Sequence, residues 1–153
     1  MKSKNILFLE CSTLYRRSKF SSAPVMDRIV EVTSCCVDYN WIKTSREMFE
    51  KIKREARTRK QGIVYISCHG SPGVIYLGLE TVSLKKLAMR LKKALKGFDI
   101  FFSSCETLRL SSREIYFFLK KTDADSVCGY KNEFEIPDSL YDEVKLLTHL
   151  LKE

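Results

Sequence analysis

The chain has 153 residues, 44% hydrophobic and 30% charged, with a net charge of +8. That is the composition of a soluble globular protein, long enough for one domain with a genuine core. No apolar run approaches the ~18 residues of a membrane span, and Glu10 together with the lack of a small-residue cleavage site argues against a signal peptide. These features imply a cytoplasmic protein. The six cysteines show no spacing typical of a disulfide framework or a zinc site. Cys11, Cys68 and Cys128 fall at apolar positions that suit buried free thiols.

In chain order, residues 5–11 read as a strand. Residues 12–36 mix Ser, Thr and Arg with a short apolar run near Ile29, and Pro24 breaks any long helix, so a loop with a short helix or strand is expected. Residues 37–43 alternate like a strand. Thr44 and Glu47 form a capping-box pattern before a helix with Met48, Phe49, Ile52 and Ala56 on one face. An apolar strand then runs from Gly62 to His69 and Gly70. Ser71, Pro72 and Gly73 make a turn into a short strand at 74–77, which places His69 at the start of a hairpin.

Ser83 caps a helix with Leu84, Leu87, Ala88, Leu91 and Leu95 inward, and Gly97 is expected to end it. A second apolar strand, from Phe98, delivers Ser103, Ser104 and Cys105. Ser111 and Glu114 open another helix with Ile115, Phe118 and Leu119 inward. Residues 126–130 form a short strand. A last helix begins near Asp138, with Leu140, Val144, Leu147 and Leu151 on one face. Strands alternating with helices predict a three-layer α/β/α domain over residues 1–153, built on a mostly parallel sheet with right-handed crossovers.

Charge is distributed unevenly. Residues 1–60 hold 14 Lys/Arg against 7 Asp/Glu, residues 85–96 hold six Lys/Arg and no acid, and residues 122–153 hold 3 Lys against 8 acids. Such a split could draw an acidic partner to one half, although a solvated charged surface is the plainer reading. Lys85, Lys86, Arg90, Lys92, Lys93 and Lys96 fit the wet face of an amphipathic helix. Tyr39, Trp41 and Tyr65 fit core or edge packing, and His149 fits a surface or core position in the last helix.

Two reactive groups stand out because their contexts match. His69 and Cys105 each end an apolar strand, and a helix separates the two strands. In open α/β sheets, sites form at the carboxyl ends of parallel strands. Adjacent strands would bring imidazole and thiol to one cleft, a pairing suited to nucleophilic attack on a carbonyl. A cysteine phosphatase needs an arginine six positions after the cysteine to wrap phosphate, and here the arginines are Arg109 and Arg113. No Walker loop and no Gly-x-Gly-x-x-Gly is present.

A strand ending in His69-Gly70, a helix, then a strand ending in Ser104-Cys105 resembles the caspase-like cysteine peptidases, the caspase-haemoglobinase fold. Cys105-Glu106-Thr107 looks most like the CHAT branch, and the stretch from Gly129 to Ile136 is similar to the strand that closes a CHAT-like domain. The likeness covers residues 62–137. The second glycine falls at Gly73, Leu108 replaces the glycine common after Cys-x-Thr, and the caspase Gln-Ala-Cys-x-Gly signature is absent.

The resemblance implies a hydrolase of the thiol protease type, with Cys105 as nucleophile and His69 as acid/base. The backbone N–H groups of Gly70 and Cys105 would form the oxyanion hole, and a helix starting soon after Cys105 would favour thiolate. It implies a protein or peptide substrate, no cofactor, no metal and no membrane, and it admits an activating partner protein. Glu106, Glu133, Glu135 and Asp138 could lie near the mouth and favour a basic P1 residue, although solvated acids are the plainer reading. The alternative is a catalytically inactive caspase-like module that contacts an acidic partner through its basic half, with nucleic acid the less favoured occupant.

Overall fold

The computed structural model describes residues 4–11, 21–134 and 136–152, the side chains of 136–138 excepted. Among the described residues, eight strands and five helices follow in the order β1 (Asn5–Cys11), α1 (Ala23–Thr33), β2 (Val37–Ile42), α2 (Ser45–Thr58), β3 (Gly62–Ser67), β4 (His69–Ser71), β5 (Val74–Leu77), β6 (Glu80–Ser83), α3 (Leu84–Arg90), β7 (Phe98–Ser103), α4 (Ser112–Thr122), β8 (Ser126–Gly129) and α5 (Ile136–Leu150). Five strands form one parallel sheet, ordered β2-β1-β3-β7-β8, and β4-β5-β6 form a small antiparallel sheet.

The central strands read as near-continuous apolar runs because both of their faces are covered. Every residue of β3 and β7 is buried. Alternate residues supply two cores. On one face Leu7, Leu9, Val64, Ile66, Ile100 and Phe102 pack against α2, α3, α4 and the small sheet. On the other, Ile6, Phe8, Ile63, Tyr65 and Phe101 pack against α1 and α5. This is the expected three-layer α/β/α arrangement with a parallel central sheet.

Local signals explain most helix starts. The Thr44 hydroxyl accepts from Glu47 N at 3.2 Å, but the Glu47 carboxylate takes Lys43 N rather than the cap residue's own N–H. Ser83 accepts from Lys86 N, and Ser111 with Glu114 forms a complete capping box.

The short helix allowed within 12–36 is the 11-residue α1, and Pro24 occupies its first turn, where its missing N–H would have had no intrahelical partner. Of the loop expected at 12–36, residues 12–20 lie outside the described residues. Two expectations need correction, at α3 and at the tail strand. Helix α3 stops at Arg90 rather than continuing to Gly97. Lys93 turns left-handed at φ 56°, and Lys93 N and Leu95 N donate to the last carbonyls of α4, at Lys121 and Thr122. Leu91 and Leu95 remain buried without the helix. Finally, the strand at the tail ends at Gly129; residues 130–134 are irregular and α5 follows from Ile136.

Candidate active site

Strands β3 and β7 are neighbours, in register from Gly62 opposite Phe98 to Ser67 opposite Ser103. Cys68 N donates to Ser103 O at 3.3 Å, so the pairing continues one residue past β3. His69 is therefore not the last residue of the long strand. It is the first residue of β4, just past the bend where the chain leaves the parallel sheet for the hairpin. The turn Ser71-Pro72-Gly73-Val74 closes that hairpin, with Gly73 at φ 71°, a conformation glycine adopts freely.

Cys105 sits in a turn beyond β7 that packs against the start of β4. A Cβ added to Gly70 would meet Thr107 Oγ1 and would lie 2.7 Å from Cys105 O. No side chain larger than hydrogen fits there without moving the Cys105 turn. Gly73 N donates to Thr107 O at 3.1 Å, and the Thr107 hydroxyl is 2.6 Å from Ser104 Oγ. Thus the segment bearing His69 and Gly70 and the segment bearing Cys105 form one packed unit at the carboxyl end of the sheet. His69 is exposed and Cys105 half-buried.

The turn is held from its other side by the chain after β8. Glu106 N donates to Asn132 O and Leu108 N to Tyr130 O, while the Cys105 thiol faces Phe134 O at 3.8 Å. Phe134 in turn stacks on Tyr130, with ring centroids 3.8 Å apart. Glu106 adopts a left-handed φ of 55°, an uncommon conformation for a side-chain-bearing residue that these bonds and its ion pair with Arg109 sustain.

Beneath the turn lies a buried polar cluster that the sequence reading missed. The Glu143 carboxylate of α5 accepts from Tyr65 Oη at 2.5 Å, Tyr130 Oη at 2.8 Å and Ser103 Oγ at 2.9 Å. It thereby ties β3, β7 and the post-β8 segment together two residues before Cys105. Burial raises the Glu143 pKa, against the lowering effect of its three donors. Glu10, near the end of β1, is also buried and also raised, chiefly by desolvation; it accepts from Ser21 Oγ and Ser22 N. Ser22 Oγ and Ser67 Oγ lie 2.8 Å apart and extend the polar zone across β3. A signal for Glu143 existed: it falls on the inward stripe of α5 between Leu140 and Leu147, where an acid requires partners.

Other expectations fare unevenly. Ser103 and Ser104 are buried. Helix α4 begins at Ser112, and its first turn is capped by Ser111 and Glu114. Of the four acids expected near the mouth, Glu106 is engaged by Arg109, Glu133 is exposed, Glu135 lies outside the described residues and so does the side chain of Asp138. Tyr39 and Trp41 are part-exposed on the edge strand β2, and His149 is exposed. A cavity of about 450 Å³ opens between Pro72, Gly73, Leu84, Leu110, Arg113 and Phe117; neither His69 nor Cys105 lines it. Among the described residues no cluster of three or more His, Cys, Asp or Glu side chains could hold a metal ion, and no helix is long and apolar enough to cross a membrane.

A family model described as "Family of unknown function (DUF6642)" matches residues 17–150. The chain belongs to this family. No curated protein matches the sequence. Among solved structures, it is similar to caspase-1 from Spodoptera frugiperda, at 16% identity and a TM-score of 0.48 over 67% of this chain and 47% of that one. The DUF6642 chain thus spans less than half the length of that insect protein.

Proposed function

We propose that this DUF6642 chain is a caspase-like cysteine endopeptidase working through a His69–Cys105 dyad. The observation that carries the reading is the contact between Gly70 and the Cys105 turn. In that contact the segment that bears His69, an exposed residue, lies against the turn that bears Cys105, a half-buried one, where two parallel strands end.

The chemistry follows from the groups available. The Cys105 thiol passes its proton to His69 as its sulfur attacks the scissile carbonyl carbon, and the carbonyl oxygen takes up the negative charge. Collapse breaks the C–N bond, His69 supplies the proton that the departing amine needs, and water then cleaves the thioester. Two N–H groups suit the transient oxyanion. That of Cys105 has no backbone acceptor among the described residues. Gly70 stands opposite Ile75, one step from the turn-closing pair Ser71–Val74. Antiparallel ladders alternate, so this position sends its N–H away from β5. The Phe134 carbonyl that faces the thiol must yield before a substrate can enter.

The test is covalent labelling of the folded protein with peptidyl ketones bearing Arg, Lys or Asp at P1. Stoichiometric modification of Cys105 is expected, abolished in Cys105→Ala and strongly reduced in His69→Ala. A folded protein that no probe labels overturns the reading. It would leave the binding-module alternative, for which the exposed Lys85, Lys86, Arg90, Lys92 and Lys96 supply a basic face; salt-sensitive binding surviving Cys105→Ala is its signature.

A further inference from the structure

Two more thiols meet at the same end of the sheet, on the face opposite Glu10 and Glu143. Strands β1 and β3 run parallel, in register up to Glu10 opposite Ser67. One residue further on stand Cys11, the last of β1, and Cys68, the first past the end of β3. Opposed residues of parallel neighbours project to one face, with strands ~4.8 Å apart, inside the ~4.4–6.8 Å Cα separation that a disulfide bridges. Both side chains pack against the same apolar cluster. Both are free, Cys11 buried and Cys68 half-buried.

We infer that Cys11 and Cys68 are a redox-active dithiol, a modification site that peroxide converts to an intramolecular disulfide. Hydrogen peroxide reaches Cys68 first. The Cys68 sulfur, its proton released, attacks one peroxide oxygen; the O–O bond breaks, and sulfenic acid and a first water result. The Cys11 sulfur then attacks the Cys68 sulfur and loses its own proton. The S–O bond breaks and a second water departs. Two thiols have lost two electrons and two protons, and one peroxide has become two waters.

The neighbouring Cys68 thiol, together with burial, raises the Cys11 pKa, so Cys11 is suited to resolve the sulfenic acid rather than to start the reaction. The link lands on the single residue between β3 and His69. On the peptidase reading, on which this consequence alone rests, oxidation would pin the seat of His69 to β1.

The experiment treats the reduced full chain with a few equivalents of hydrogen peroxide, blocks remaining thiols with N-ethylmaleimide and maps the digest by mass spectrometry. A peptide pair joined through Cys11 and Cys68 is expected, reversed by dithiothreitol and retained in Cys105→Ser. In Cys11→Ser, Cys68 should instead be trapped by dimedone as sulfenic acid. The map of the unsubstituted chain decides the matter should that variant fold poorly. Recovery of both residues as maleimide adducts while Cys105 is oxidised, or a Cys68–Cys105 link instead, overturns the inference. Ketone labelling of the reduced protein tests the peptidase reading separately, so either idea can fail without the other.

Discussion

On the α2–α4 face of the sheet, Leu9, Ile66, Ile100 and Phe102 sink into an apolar cluster. On the α1–α5 face, the carboxyl ends of β1, β3 and β7 instead present Glu10, Ser67 and Ser103 to buried hydrogen-bonding partners. Residue parity alone separates the two: one step along a strand exchanges a dry environment for a polar one. The dry face gives cohesion that tolerates shape-conserving changes. The polar face gives orientation, because each hydroxyl on Glu143 fixes a different piece of chain beside the Cys105 turn.

The largest break in this contrast is expected on the dry side. Phe102→Ala should cost about 3–5 kcal/mol, through lost transfer energy and an unfilled cavity, read from denaturant melts. Glu143→Ala should cost about 2–3 kcal/mol by stranding three donors, with Glu143→Gln milder because an acceptor remains. If Glu143→Ala proves neutral, the polar cluster is not what holds the turn.

Gly70→Ala should follow, destabilising by roughly 1–3 kcal/mol, the usual range for overpacking, because the new methyl meets Thr107 Oγ1 and Cys105 O. On the peptidase reading, Cys105 labelling would fall in the same variant.

A pH series sharpens the contrast further. Folding raises the Glu10 and Glu143 pKa values, so in the window just above the ordinary carboxylate range the folded chain binds more protons than the unfolded one. Their contribution to stability is therefore full below the unfolded pKa and is lost as pH rises toward the folded values. Thermal melts of Glu143→Gln between about pH 4 and 7 should show a flatter decline than those of the unsubstituted chain; an identical slope would remove Glu143 from the account. The smallest effect is expected far from both faces: Ser111→Ala should cost about 1 kcal/mol by opening the α4 capping box.

Much of this was legible in the residues. Long apolar runs at Gly62–Ser67 and Phe98–Ser103 announced doubly covered parallel strands, and their shared form singled out His69 and Cys105. Helix starts were legible where a short polar side chain reached its own third residue, as at Ser83 and Ser111. Helix α3's end was not, because carbonyls of α4, distant in sequence, competed for the N–H groups of Lys93 and Leu95. Pro24 was compatible with the short helix found there, because a proline in the first turn opens a helix that it would break further in. The place of Glu143 on the inward stripe of α5 was legible, but its three donors were not, because they come from β3, β7 and the segment after β8.

The strand order also governs how the molecule comes into being. Strand β1 lies inside the sheet, flanked by β2 and β3, so the first 67 residues hold three adjoining strands of it. The Cys105 turn differs: the bonds that hold it come from residues 130–134 and, through Ser103 and Tyr130, from Glu143, all made after it during synthesis. Domains fold as units. The turn therefore gains its shape only once the final helix has left the ribosome.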